Sequence, residues 1–192
     1  IAAIAPADLA AFSAEQVAAI STKGIAGLTA AQVAELSAEQ VDALTSSQIG
    51  ALNAKQVAAL DTEALAMFSA TDIAAIKPAA ITGLSADAIA SLNAEQVSAL
   101  SATQIAALKA AQVAALDPTQ VALLTTAQVK ALSSTHVAAM SPEAVAAMST
   151  EQIAAISARA VAGLTSAHLE ALSTAQVEAL TPAQVAAFNA RQ

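Results

Sequence analysis

The feature that most constrains the fold of this chain is a strict eight-residue repeat. Counted from Ile1, the 192 residues divide into 24 octads, each with eight columns. Column one holds Val, Ile or Leu in all 24 rows, and column four holds Leu, Ile, Met or Phe. Columns two and three are Ala in 17 rows each, column five is Ser, Thr, Asn or Asp in 21, and column eight is Gln in 14. Such regularity predicts that every row adopts the same local structure.

Columns five to eight carry the signature of a helix start. A Ser or Thr followed three residues later by Gln and then by an apolar residue is a capping box. Its hydroxyl accepts a backbone N–H of the first helical turn, and the Gln side chain reaches back to the backbone of the cap residue. Only Ala5, Lys77 and Lys109 depart from this pattern in column five. Each octad is therefore predicted to begin a new helix.

The prolines test this assignment independently. Proline is tolerated in the first position of a helix, where its missing N–H would make no bond within the helix. All five prolines lie in column six, directly after the predicted cap: Pro6, Pro78, Pro118, Pro142 and Pro182. Their placement supports a helix that begins in this column.

Two other structures could have an eight-residue period. In one continuous helix, eight residues turn through about 800°, so the Val and Leu stripe would wind around the rod and prolines would interrupt it. In a β-solenoid, columns one and four would point to opposite faces of a strand, and Ala, Gln and Glu are poor strand formers. A chain of short capped helices fits the pattern better than either.

The octads must pack against one another, because a helix this short is marginal alone in water. On a helical wheel, columns one, four and six form one apolar face, and none of the 22 charged residues lies in them. We therefore predict an all-α fold, a compact α-solenoid of 24 short helices with one helix per octad. The number of octads in one coil stays open, because the sequence shows no repeat longer than one octad. Gly24, Gly27, Gly50, Gly83 and Gly163 are expected where neighbouring coils approach closely.

The whole chain, residues 1–192, is predicted to be a single repeat domain, because composition does not shift along it. It begins with Ile1, and no row has the polar character of a terminal capping repeat. We therefore expect it to be a segment of a longer array.

Composition excludes several classes of function. The net charge of −8 is unfavourable for binding nucleic acid. No apolar run approaches the length of a membrane span, which needs about 20 residues. The chain contains no cysteine, so it has neither disulfides nor thiolate metal sites. The expected partners are neighbouring repeats of the same array, with end-to-end self-association as a further candidate.

No catalytic, cofactor-binding or metal site is predicted, and no cofactor is expected. His136 and His168, the only histidines, replace Gln in column eight four octads apart. This spacing favours a polar side chain near a helix start over a metal ligand. Acid pairs such as Glu35 with Glu39, or Asp61 with Glu63, are interpreted as solvated surface charge. We expect a protein that is not an enzyme.

The array of Ala-Leu-Thr-x-x-Gln-Val strings, which extends with variations over all 24 octads, resembles the Ala/Thr/Gln-rich octapeptide arrays of large bacterial secreted or surface proteins. That resemblance implies an extracellular or cell-surface location and the role of a spacer or stalk. A protein-interaction solenoid or a self-assembling filament is the alternative. An ice-binding surface made of Ser and Thr rows is a remote third hypothesis, because those hydroxyls are needed as helix caps.

Overall fold

The computed structural model describes residues 1, 3–190 and 192. Within these residues, regular structure consists of 23 α-helices of four to six residues, without any β-strand. The all-α prediction is confirmed, and the helices are as short as one helix per octad requires. There are 23 instead of the expected 24, because a helix runs from column six into the following octad and 24 rows contain only 23 such stretches.

Contacts divide the chain into two compact units, Ile1–Ala99 and Leu100–Gln192, and the octad register runs through both. That residues 1–192 form a single repeat domain stays a prediction. The helices of the first unit are α1 (Pro6–Ala10), α2 (Ala14–Ala18), α3 (Thr22–Ala26), α4 (Ala30–Ala34), α5 (Ala38–Asp42), α6 (Ser46–Ile49), α7 (Ala54–Val57), α8 (Thr62–Ala66), α9 (Ala70–Ala75), α10 (Pro78–Ile81), α11 (Ala86–Ala90) and α12 (Ala94–Ala99). The helices of the second unit are α13 (Ala102–Ala107), α14 (Ala110–Ala114), α15 (Pro118–Ala122), α16 (Thr126–Lys130), α17 (Ser134–Ala139), α18 (Pro142–Ala146), α19 (Thr150–Ala155), α20 (Ala158–Val161), α21 (Ser166–Ala171), α22 (Thr174–Glu178) and α23 (Pro182–Ala186).

The helices begin as the capping pattern predicts. At the start of α2, Gln16 N–H donates to the Ser13 hydroxyl over 3.2 Å, and the Gln16 side chain accepts from Ser13 N–H over 2.8 Å. All five prolines are the first residue of a helix. The side chains of Ala5, Lys77 and Lys109 accept no hydrogen bond from the first turn, although Gln112 still accepts from Lys109 N–H over 2.8 Å. The predicted role of column five is therefore confirmed.

The described helices end without a left-handed residue, and even Gly27 and Gly50, the residues after α3 and α6, have φ of −87° and −62°. No described residue has a positive φ, so the left-handed cap common at helix ends is absent from them. The column-four N–H instead donates to the column-one carbonyl three residues earlier, as Leu108 does to Ile105 over 3.2 Å. Lys109 then takes an extended conformation, with φ −80° and ψ 155°, and the next helix begins. One tight turn and two extended residues, Leu108 with ψ 149° and Lys109, thus reorient the chain at this junction. The column-four residues Ile76, Met140 and Ile156 are extended in the same way.

Within each unit, a helix packs against the helix three places further along. In the first unit α1 packs against α4, α2 against α5 and α9 against α12. In the second, α14 packs against α17, α15 against α18 and α18 against α21. The contacts that stabilise each short helix are therefore made between octads that lie far apart in sequence.

Burial confirms two of the three predicted core columns and corrects the third. Column one and column four are buried in most rows, as at Val145 and Leu132. Column six is not buried in any described row; Pro118 and Ala110 are exposed. The third buried column is column eight, where Gln48 and Gln152 are only 2% and 4% exposed. The apolar face was assigned from hydropathy. Hydropathy predicts that an amide lies at the protein surface, even where all of its polar atoms are hydrogen-bonded.

Two glycines lie where helices approach closely, as expected from the sequence. A Cβ built on Gly83 would collide with the backbone of Ala54, with the carbonyl carbon at 2.8 Å and the oxygen closer still. Gly163 has the same relation to Ser134. The short contacts of Gly24 are local, with Ile20 and Ser21 three to four residues earlier, so the prediction does not hold there. A Cβ on Gly50 would lie 3.2 Å from the Ala75 carbonyl oxygen, a moderately close approach. Close approach therefore explains Gly83 and Gly163 in particular.

Candidate functional site

The most distinctive chemical feature of the molecule is a row of buried amides in column eight, which we term the amide row. In the first unit, the Gln48 side-chain oxygen accepts from Thr45 N–H over 2.7 Å. Its Nε2 donates to the carbonyl oxygens of Val17, Ala18 and Ile20 over 3.0, 3.2 and 2.7 Å. One side chain therefore caps its own helix and binds the end of an earlier helix, at separations of 28, 30 and 31 positions in the sequence.

The same arrangement recurs in the second unit. Gln152 accepts from Ser149 N–H over 2.7 Å and donates to the carbonyls of Val121, Ala122 and Leu124 over 3.0, 3.2 and 2.6 Å. Further members, which bind carbonyls at the same separations, are Gln32, Gln40, Gln56, Gln96, Gln128, Gln176, Gln184 and Gln192. The amide row thus connects the column-four and column-one carbonyls of one turn to the helix starts of the next.

The separation of these partners is the same in both units. A separation of 28 residues is three and a half octads, and 31 residues is just under four. We call this stretch of the chain one turn, so column eight of one turn bonds to columns four and one of the turn before it. The Gln rows named above share this offset and need not differ from one another. This agrees with the lack of any repeat longer than one octad in the sequence.

The amides are buried without loss of hydrogen bonding. A buried amide that lacks partners costs about 1–3 kcal/mol, whereas a fully bonded one contributes to stability. Among the described residues, no buried side-chain nitrogen or oxygen lacks a partner. The sequence contains one indication of this burial. Glu completes a capping box as well as Gln does, yet column eight contains no Glu. Of these two residues, only Gln can also donate a hydrogen bond to a backbone carbonyl.

The two histidines belong to the amide row, and they do not form a site together. His136 Nε2 lies 2.8 Å from the carbonyl oxygen of Leu108, and His168 Nε2 lies 2.9 Å from that of Met140. Each ring replaces a Gln and bonds to a column-four carbonyl of the turn before it. In the described part of the chain there is no group of three or more His, Asp or Glu side chains that could hold a metal ion.

One stretch of the first unit lacks the amide row. Column eight holds Ala64, Asp72, Ala80 and Ala88 in four successive octads, which together span about one turn. Ala cannot donate to the carbonyls of the preceding turn, and Asp72 instead accepts from the Ser46 hydroxyl over 2.7 Å. These octads are held to the turn before them mainly by apolar contacts and the close approach at Gly83.

The acid pairs considered from the sequence do not form catalytic arrangements. Glu39 is exposed, and its own backbone N–H and the Ser37 hydroxyl lower the pKa of its carboxyl. A general acid needs a raised pKa, so the environment of Glu39 acts in the opposite direction. Asp61 accepts a backbone N–H at the start of α8, and Glu35 and Glu63 are exposed. Asp61 therefore caps a helix, and Glu35 and Glu63 are solvated surface charges.

Two open cavities were found on the described surface. One, of about 310 Å³, lies beside Leu52 and Ala80, where the amide row is interrupted, and Lys77 is the only charged residue that lines it. The other, of about 410 Å³, lies between Thr165 and Gln192, and none of the described residues that line it has a charged side chain. Neither brings together the ionisable groups that acid–base or metal chemistry requires.

No described helix is long and apolar enough to cross a bilayer.

The amide row gives a direct prediction about stability. Replacing Gln152 with Ala leaves Ser149 N–H and the buried Leu124 carbonyl without their partner, while the Val121 carbonyl keeps its bond from Leu124 N–H. We therefore expect the free energy of unfolding to fall by about 2–4 kcal/mol. Gln16 is a matched control, because it is exposed and makes only the capping box. Gln16→Ala should cost less than about 1 kcal/mol. Urea unfolding of both variants measures the difference, and equal small losses would mean that the bonds between turns contribute nothing.

Comparison with known proteins gives one finding. A family model described as the ALTTAQ repeat matches residues 1–38, 124–158 and 160–190, which together are more than half of the chain. No curated protein matches the sequence.

Proposed function

Because the chain belongs to the ALTTAQ repeat family, we propose that its role is structural and non-enzymatic: an α-solenoid that acts as a spacer or stalk. Successive turns of about three and a half octads stack along one axis in this proposal. Each octad adds the same contacts to the array. Length is then set by the number of octads, as a spacer requires.

The observation that carries this proposal is the constant separation of the hydrogen-bonded partners. Gln48 and Gln152 lie in different units, yet both bind carbonyls 28, 30 and 31 residues earlier. The buried polar groups are used for cohesion between turns, and a binding surface would be expected to concentrate unusual residues in adjacent rows. A place in a large bacterial secreted or surface protein is part of the proposal, and it rests on the sequence resemblance alone.

The proposal is tested by measuring whether added octads add length. The chain has no cysteine, so Thr119→Cys and Ala183→Cys, both at exposed column-seven positions, can carry two spin labels without competing thiols. The lengthened variant repeats residues 125–180 after Leu180, which adds seven octads, or two turns. Helix layers are about 8–10 Å apart, so the distance between labels should rise by about 16–20 Å. An unchanged distance, or a broad distribution, would contradict the spacer role.

End-to-end self-association is a second candidate function. Val177 and Val185 occupy column one in the last helices, and they are 49% and 52% exposed. Column one is buried in most other rows, and in this candidate role the exposed valines bind the opposite end of another copy. Sedimentation velocity over a wide concentration range distinguishes a monomer from an assembly that grows with concentration.

A further inference from the structure

The interruption of the amide row in the first unit covers a whole boundary between two turns. Helices α4–α7 lie on one side of this boundary and α8–α11 on the other, with α6 packed against α9 and α7 against α10. We term this boundary the seam. Column eight holds Gln in all four octads before the seam, and in the next four it holds Ala64, Asp72, Ala80 and Ala88. A full turn of the array therefore lacks the amide bonds.

The row of Ala80 illustrates what is lost at the seam. In a Gln row, the amide accepts from the column-five N–H three residues earlier and donates to the column-four carbonyl 28 residues earlier. These positions are Lys77 and Leu52 here, and an Ala side chain can bond to neither. Leu52 is 1% exposed, so its carbonyl lies where a missing partner costs stability. Ala64 and Ala88 make the same change in their rows.

The contacts that remain across the seam are of other kinds. The Ser46 hydroxyl donates to Asp72 over 2.7 Å, but both side chains are partly exposed, which reduces the contribution of their bond. The backbones approach closely at Gly83. Beside this approach, a cavity of about 310 Å³ is lined by Leu52 and Ala80, and atoms that face a cavity lose packing contacts.

The second unit contains the same substitution only in isolated rows. Ala144 and Ala160 occupy column eight there. The rows on either side of them hold His136, Gln152 and His168, and all three side chains contact carbonyl oxygens of the turn before them. Each gap is therefore closed by its neighbours, whereas at the seam the gaps are consecutive.

We propose that the seam is a built-in opening point, where the first unit separates between α7 and α8 while the helices on each side keep their other contacts. A folded protein opens locally in proportion to how few contacts the opening breaks. Opening at the seam breaks fewer hydrogen bonds between turns than opening at the rows of Gln40 and Gln48. Under tension, this turn extends first. The inference goes beyond the spacer role and does not depend on it, because local opening occurs without tension.

The test uses the rate at which a buried thiol is labelled in the full chain, which has no cysteine of its own. Ala88→Cys places the thiol at the seam, and Ala144→Cys is the matched control, since both alanines are buried in column eight. Labelling by dithionitrobenzoate without urea gives the equilibrium constant for opening. Each constant is divided by the global unfolding constant of the same variant, measured in urea. This ratio should be about tenfold or more larger for Ala88→Cys.

Two further variants move the opening point. Adding Ala64→Gln and Ala80→Gln to Ala88→Cys supplies donors to the seam and should lower the ratio by about tenfold. Adding Gln152→Ala to Ala144→Cys leaves three consecutive rows without an amide in the second unit, so the ratio there should rise. This second variant needs no space for a larger side chain. Equal ratios at positions 88 and 144, or a ratio that Gln152→Ala leaves unchanged, would overturn the proposal.

Discussion

Leu124→Asp should unfold much of the second unit, whereas the same substitution at the adjacent Leu123 should have almost no effect. Leu124 is in column four and 3% exposed, and Leu123 is in column three and 38% exposed. A carboxylate at position 124 would be buried without a cation. Its expected cost is more than about 4 kcal/mol, a large part of the stability of an ordinary domain. Differential scanning calorimetry measures the change in melting temperature.

The Leu123→Asp variant controls for everything except burial. It introduces the same charge into the same octad and also removes a leucine, and a surface substitution usually changes stability by no more than about 0.5 kcal/mol. Neither substitution changes the backbone carbonyl of Leu124 that accepts from Gln152. Similar losses at both positions would mean that column four does not form the core.

Local structure was largely predictable because each octad encodes it within eight residues. The Ser101 cap and Gln104 are three residues apart, and Pro118 marks the first helical position, so no distant contact is needed to place a helix start. Burial of columns one and four followed from hydropathy. These features depend on the chain a few residues to either side, where sequence patterns are informative.

The packing between turns was less predictable, because it depends on residues that lie about three octads or more apart. The turn of three and a half octads treats all rows alike, so it leaves no mark on the repeat. The burial of Gln48 was missed because an amide was judged by its polarity and not by the carbonyls available to it. Gly83 was assigned to a close approach from its residue type, but its partner, Ala54, became apparent only from the packing.

Deleting four residues should disrupt the fold, whereas deleting eight from the same place should preserve it. Removal of residues 125–132 takes out one whole octad and keeps every column in register. Gln152 would then have Leu116 and Val113 at the separations where it now has its two outermost carbonyl partners. These are again column-four and column-one positions. We expect this variant to keep its helical circular dichroism per residue and a cooperative thermal transition.

Removal of residues 125–128 instead deletes a cap together with its Gln and shifts the register by half an octad. Gln152 would then have Gln120 and Asp117 at the separations of its present partners, so both column-four and column-one carbonyls are lost to it. Column-one and column-four side chains would no longer meet the turn before them. Each large apolar side chain contributes about 1.5–3 kcal/mol when buried. Exposing the several that belong to one turn costs as much as the whole stability of a typical domain.

The two deletions are compared by circular dichroism melting and by hydrogen exchange. We expect the four-residue deletion to lose protection over at least the turns on either side of the junction, within the second unit. Octads far from the junction should keep theirs, because each turn contacts only its neighbours. If both deletions melted alike, the register between turns would not matter, and hydrogen bonds at fixed sequence separations could not be what holds the turns together.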